Sequence, residues 1–193
     1  MNLNTFISLL TTLCSQLNEY AGEQIADTDP LHSLGKRLDH TSRHSLPALR
    51  IYSAWLLTNS NFLVPGIGDE GLKELIVRFW KTYTESLTQL AAVFPAQFLP
   101  ANVAYLLEED SDFLGFQPLK SERSKKLWLD SSSGQQKVKP DQADRHSEDY
   151  EMLARVRELL VDGLLLAVDP VCLTDHLQTR ADSHRHCQLI SMV

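Results

Sequence analysis

From Glu70 to Phe94 apolar side chains return every three or four residues: Leu72, Leu75, Ile76, Phe79, Trp80, Tyr83, Leu87, Leu90, Ala91 and Phe94. A run this long at the period of an α-helix predicts one long amphipathic helix whose apolar stripe other elements must cover. Pro95 and Pro100 end it, because proline has no N–H to give a helix interior. The same spacing in Leu3, Phe6, Ile7, Leu10, Leu13, Cys14 and Leu17 predicts a helix over 3–20. Near the other end, Leu153, Val156, Leu160 and Leu164, widened by Met152, Leu159 and Leu166, predict a helix over 150–168 that Pro170 closes. Ser45 stands as an N-cap with Pro47 in the first turn, so a helix is expected to start there. Its body carries Leu49, Tyr52 and Leu56 on one face and Ile51 and Trp55 on an adjoining one, too much apolar surface for one-sided exposure. It is therefore expected to be central. Shorter helices are expected through Leu31, Leu34 and Leu38, and after Asn102 through Val103, Leu106 and Leu107. Asp69, after a turn of Pro65, Gly66 and Gly68, suits an N-cap for the long helix. No strand run and no internal repeat interrupts this pattern, so the fold class is all-α, built of packed antiparallel helical hairpins in a solenoid-like array.

Between the long helix and the polar stretch that follows lies LLEEDSDFLGFQPL, residues 106–119. Gly115 and Pro118 argue against a helix there, while Phe113, Leu114, Phe116 and Leu119 are too apolar for an ordinary loop. The expectation is an irregular connector pinned to the helical body by these four side chains. A strand or a piece of a small core is the alternative. Beyond Leu119 the composition turns polar and Ser-rich, and residues 130–147 read as a mobile insert.

With 193 residues, 43% of them hydrophobic and 22% charged, the chain can build the core of one domain or of two small ones. Its longest apolar run, LLVDGLLLAV at 159–168, is too short to span a membrane and is broken by Asp162. The N-terminus lacks the basic region and cleavage site of a secretory signal, and Cys14, Cys172 and Cys187 are too scattered for a disulfide framework. These features fit an intracellular chain. A net charge of −7 excludes a uniformly basic nucleic-acid binder but leaves room for a local positive stripe.

Catalytic patterns are missing: there is no phosphate-cradling glycine loop, G-x-S-x-G elbow or H-E-x-x-H helix. Neither catalytic residues nor a cofactor is expected. The acidic run Glu108, Glu109, Asp110 and Asp112 contains metal-ligand types, but adjacent carboxylates rarely converge, and a solvated face or a partner for a helix N-terminus is the simpler reading. Cys172, His176, His184, His186 and Cys187 match no standard zinc spacing, and a polar tail is favoured over a metal site. His32, His40 and His44 are read as solvated. One segment stands out by charge. Lys120, Arg123, Lys125, Lys126, Lys137 and Lys139 are opposed only by Glu122 and Asp130, with Trp128 nearby. Cations neutralise phosphates and an aromatic ring stacks on an unpaired base, so contact with a single strand is physically reasonable. A solvated loop with Trp128 in the core is the plain alternative.

Two stretches also resemble a known family. In the first, Leu46, Pro47, Arg50 and Trp55 follow a Leu-Pro, basic residue, Trp pattern; in the second, Glu109, Asp110, Gly115, Phe116, Pro118 and Leu119 follow an acidic pair and a Gly-Phe-x-Pro-Leu core. Both patterns are similar to the helical-hairpin region of the "ever shorter telomeres" and SMG family of telomerase subunits and nonsense-mediated mRNA decay adaptors. Arg155, Arg157 and Gly163 resemble the start of the last family helix, while Ala54, Glu108 and Leu164 depart from the family pattern. The likeness runs over about residues 45–170, and in the family a tetratricopeptide domain precedes this region and some members end in a PIN nuclease domain. It implies an N-terminal helix and loop at 1–44 packed on a DNA/RNA-binding-type domain at 45–170, with a tail at 171–193. It further implies a non-enzymatic adaptor of the nucleus or cytoplasm that contacts RNA or single-stranded DNA and the protein partners of decay or telomerase complexes, with no membrane attachment. Arg155 and Arg157 join the basic segment as candidate contacts on this resemblance. A helical scaffold that binds only proteins is the first rival; a metal-dependent nuclease using Glu109, Asp110 and Asp112 is a distant second.

Overall fold

The computed structural model describes residues 2–20, 22–23, 29–63, 70–100, 103–130 and 132–168. The first three helices begin where the sequence offers a side-chain acceptor for the unpaired amides of the first turn. Asn2 accepts from the Asn4 amide at 3.0 Å and opens α1 (Leu3–Leu17). Asp29 accepts from the His32 amide at 3.1 Å and opens α2 (Pro30–Gly35), with Pro30 in the first turn. Asp39 accepts from the Ser42 amide at 2.7 Å and opens α3 (His40–Thr58). The long helix α4 (Glu70–Val93) follows, then the single turn α5 (Glu108–Asp112). Next come α6 (Glu122–Trp128), opened by a Ser121–Ser124 capping box, and α7 (Glu148–Val168). Among the described residues there is no strand, only one bridge between Leu129 and Gln136, and no helix is long and apolar enough to cross a membrane. The architecture is all-α helical packing.

The apolar stripes of α1, α3, α4 and α7 meet in one core. Phe6 lies at its centre, its ring 5.0 Å from Tyr52, 5.6 Å from Phe79 and 5.9 Å from Tyr83. Phe79 and Tyr83 stack at 5.3 Å, and the Tyr83 hydroxyl satisfies itself on Ser53 Oγ at 2.9 Å. Burying a side chain of this size contributes roughly 1.5–3 kcal/mol. Where α7 crosses α4 the helices approach closely, and a Cβ on Gly163 would stand 2.2 Å from Leu87 Cδ1. α3 is the shared element: it packs on α1 and α7, and its C-terminal end holds the turn at 117–119.

Several local expectations need correction. α3 starts at His40 rather than at Ser45, because the Asp39 carboxylate is the better cap, acceptor-only and charged to suit the helix dipole. Ser45 Oγ instead donates to the Ser42 carbonyl at 2.8 Å, and Pro47 sits inside the helix, where it removes one backbone hydrogen bond. Val103 to Leu107 form no helix; the Leu106 amide donates to the Val138 carbonyl at 3.0 Å, so that stretch is held by the segment read as a mobile insert. That segment is itself tied back, with the Lys137 amide donating to the Trp128 carbonyl and the Asp130 amide to the Gln135 carbonyl, both at 2.8 Å. The connector contains the helical turn α5 and a 3-10 turn over Gln117–Leu119, joined through Gly115 at φ +78°. Of its four expected anchors only Leu119 is buried; Phe113 and Phe116 are 38% and 49% exposed. The caps expected at Asp69 and Asn102, the turn at 65–68, Pro170 and the whole 171–193 tail, with its Cys and His residues, lie outside the described residues.

Candidate nucleic-acid interface

Apolar burial pins the far end of the connector at Leu119, and charge pins the acidic turn before it. α3 carries Arg50 on the face turned away from Phe6, and its guanidinium, 4% exposed, hydrogen-bonds both carboxylates of the acidic pair. Nη1 donates to Glu109 Oε1, and Nη2 to Asp110 Oδ1 and Oδ2 at 2.9 and 3.1 Å. From α7, Arg155 grips the same Glu109 side-on, Nε to Oε1 and Nη2 to Oε2, both at 2.9 Å. Glu109 is thus held between two helices that are themselves packed together. Its burial pushes the carboxyl up, but Arg50 and Arg155 outweigh that and hold it below the ordinary range. Asp110 goes the other way: burial raises it, the neighbouring Glu109 charge adds to that, and Arg50 compensates only in part. The reading of this run as a solvated face fails for Glu109 and Asp110 and holds for the exposed Glu108 and Asp112.

The clamp extends along α7. Arg123 on α6 donates from Nε to Asp162 Oδ1 at 2.9 Å and from Nη2 to Glu158 Oε2, and Arg157 Nη1 donates to Glu158 Oε1 at 2.9 Å. Glu151 receives Arg145 at both oxygens, 2.9 and 2.6 Å, and the Tyr105 hydroxyl at 2.9 Å. Asp162 is the most deeply placed acid; burial raises its carboxyl to about 6 against the opposing pull of Arg123. Glu151, Glu158, Asp162 and Tyr105 were not singled out from the sequence. Their signal was available: Glu151, Arg155, Glu158 and Asp162 recur at steps of four, three and four, a charged stripe at the spacing of a core face.

This arrangement sorts the candidate contacts. Arg123 and Arg155 have their guanidiniums occupied by internal carboxylates and are nearly buried. Lys137 is 6% exposed, its Nζ donating to the Val103 carbonyl at 2.6 Å. Trp128 is 8% exposed and walls a cleft with Arg50, Ile51 and Leu119, so its ring is in the interior, as the plain alternative had it. Lys125 pairs with Glu122 on its own helix, and Arg157 is about one-third exposed beside Glu158. Lys120, Lys126 and Lys139 are exposed. The motif residues, by contrast, come together: Leu46 is buried, Trp55 is half-buried against the core, and Arg50 on the first motif binds Glu109 and Asp110 on the second. Asn59, at the end of α3, closes the link by donating from Nδ2 to the Pro118 carbonyl at 3.3 Å.

No curated protein and no solved structure shows significant similarity to the chain. A family model described as "Est1 DNA/RNA binding domain" matches residues 1–123, from α1 through the connector to Arg123. The match takes in both motifs and the Arg50 clamp between them. It covers well over half of the chain, which therefore belongs to the Est1 DNA/RNA-binding domain family.

Proposed function

We propose that the chain is a non-enzymatic adaptor that contacts RNA or single-stranded DNA through the exposed lysines around the connector and α6: Lys120, Lys126 and Lys139, with Lys125 and Arg157 beside them. The observation that carries this reading is the match of residues 1–123 to a domain described by its binding of DNA and RNA. Charge supports it locally. Arg123 and Arg155 are neutralised by internal carboxylates, so the attraction of this segment for phosphate comes mainly from its few exposed lysines, on a chain whose net charge is −7. Binding that depends on few cations is modest and strongly salt-dependent. In a nuclear or cytoplasmic setting such a module serves RNA surveillance or telomere maintenance by bringing nucleic acid to the protein partners of decay or telomerase complexes.

The test is a salt titration of binding to a labelled single strand by fluorescence anisotropy. Each phosphate contact contributes about −0.7 to the slope of log K against log salt for a single strand. The variant Lys120→Ala/Lys126→Ala/Lys139→Ala is expected to flatten that slope by about 2. An unchanged slope removes these lysines from the interface.

A further inference from the structure

The aromatic rings of this chain divide cleanly. Most lie in the core or at its margin; among the described Phe, Tyr and Trp residues the exposed rings are Phe62, Phe113 and Phe116, 44%, 38% and 49% exposed. Phe113 and Phe116 face each other edge-on, centroids 5.9 Å apart at 60°, across the turn that Gly115 makes with φ +78°. We infer that Phe113 and Phe116 form a stacking platform for unpaired bases, which makes a single strand, not a duplex, the ligand of this surface. The inference rests on the nucleic-acid reading above and gives it a location and a chemistry.

The anchoring of this turn is what separates it from an ordinary loop with exposed phenylalanines. On one side Glu109 and Asp110 are locked to Arg50 and Arg155; on the other Leu119 is buried and the Pro118 carbonyl is held by Asn59. Within it the Phe116 amide donates to the Phe113 carbonyl at 3.0 Å. The rings are therefore presented on fixed backbone, and little ordering entropy is lost when a base lands on them. Every base has a π-face, so such a platform takes unpaired bases with little regard to sequence. In a duplex those faces are already stacked.

The surrounding charge sets the side on which the phosphates lie. Glu108 and Asp112, exposed on the α5 side, repel phosphate, while Lys120, exposed just past the 3-10 turn, attracts it. Phe62 hangs from the end of α3 that Asn59 joins to Pro118, its amide donating to the Asn59 carbonyl at 2.9 Å, so the third exposed ring belongs to the same joined pair of segments. Phe62, Phe113, Phe116 and Lys120 all fall within residues 1–123, the part that matches the DNA/RNA-binding domain, whereas Lys126 and Lys139 fall outside it.

The experiment compares three proteins, wild type, Phe113→Ala/Phe116→Ala and Lys120→Ala/Lys126→Ala/Lys139→Ala, on oligouridylate, oligothymidylate and a hairpin duplex. Loss of one stacked base costs about tenfold in affinity. The aromatic variant is expected to lose about tenfold or more on both single strands, keep the wild-type salt slope and leave duplex binding unchanged; Phe113→Trp/Phe116→Trp should restore affinity and show indole quenching when the strand binds. If the aromatic variant binds single strands like wild type while the lysine variant is impaired, the platform is overturned, the nucleic-acid reading stands, and the exposed rings fall to a protein partner. If wild type binds none of the three ligands, the nucleic-acid reading fails and takes the platform with it. Equal losses on strand and duplex also overturn the platform. Circular dichroism and thermal melting check that the half-exposed rings were removed without unfolding the chain.

Discussion

The two faces of α3 are held by opposite kinds of force. Toward α1 and α4 lies a packed aromatic group around Phe6, with a single buried hydroxyl pair at Ser53 and Tyr83. Toward the connector and α7 lies Arg50 with its carboxylates, in a layer that is also buried. Apolar packing is non-directional and tolerates small shifts; a bidentate guanidinium–carboxylate contact is directional and fixes which residue lies opposite which. The apolar face makes the body cohere, and the charged face sets where the connector sits.

This contrast can be broken most forcefully by removing one partner from each face. Arg50→Ala leaves two carboxylates buried beside a single remaining arginine, and Phe6→Ala leaves a cavity; each should cost about 3–5 kcal/mol by urea denaturation at pH 7. Their pH dependence should separate them. With Arg50 gone, Glu109 and Asp110 bind protons more tightly in the folded state, so the deficit of the Arg50 variant shrinks as pH falls toward 4, while that of the Phe6 variant does not. Equal deficits at both pH values would mean that the charged face acts only as filler.

Asp162 gives the next largest effect. Its folded-state value is raised to about 6 from an unfolded 3.8, with Arg123, Arg50 and Glu158 as the charges facing it. A raised carboxyl means that the folded state binds the extra proton, so this group's contribution to stability declines as pH rises from about 4 to 6 and stays lost above that window. The decline should be about 2–3 kcal/mol. Asp162→Asn keeps an acceptor for Arg123 and should flatten that part of the stability profile. A variant with the wild-type slope would exclude Asp162 as its source.

Smaller effects sharpen the boundary between the two faces. Gly163→Val forces a side chain into Leu87 where α7 meets α4 and should cost about 1–3 kcal/mol, with no change in its pH profile. At the bottom of the scale, replacing Lys120, Lys126 and Lys139 by Ala should leave the unfolding midpoint where it is, since these side chains are exposed and lie outside the clamp. A drop in thermal midpoint for that variant would place one of them in a structural role.

The apolar face was legible in the sequence and the charged one was not, for a physical reason. Hydrophobic periodicity reports α4 almost to the residue and gives α1 and α7 with small errors at their ends, because each of those helices buries an apolar stripe. The same method passed over α6, whose ERSKKLW sequence looks like solvated linker although Ser124 and Trp128 are buried and Arg123 reaches the interior. It places the start of α3 at Ser45 because Pro47 suits a first turn, whereas the cap is the carboxylate of Asp39. In the connector it assigns burial to Phe113 and Phe116 on their hydrophobicity, whereas Glu109 and Asp110 hold interior positions. The family motifs did point at Arg50, Glu109 and Asp110, but as separate stretches. That they touch became visible only in three dimensions.

A single guanidinium, that of Arg50, serves both members of the acidic pair. The two segments that carry the family likeness are halves of a single interlocking part, cut in two by the order of the chain. Transplanted into another helical protein, either half would arrive with its charge unanswered.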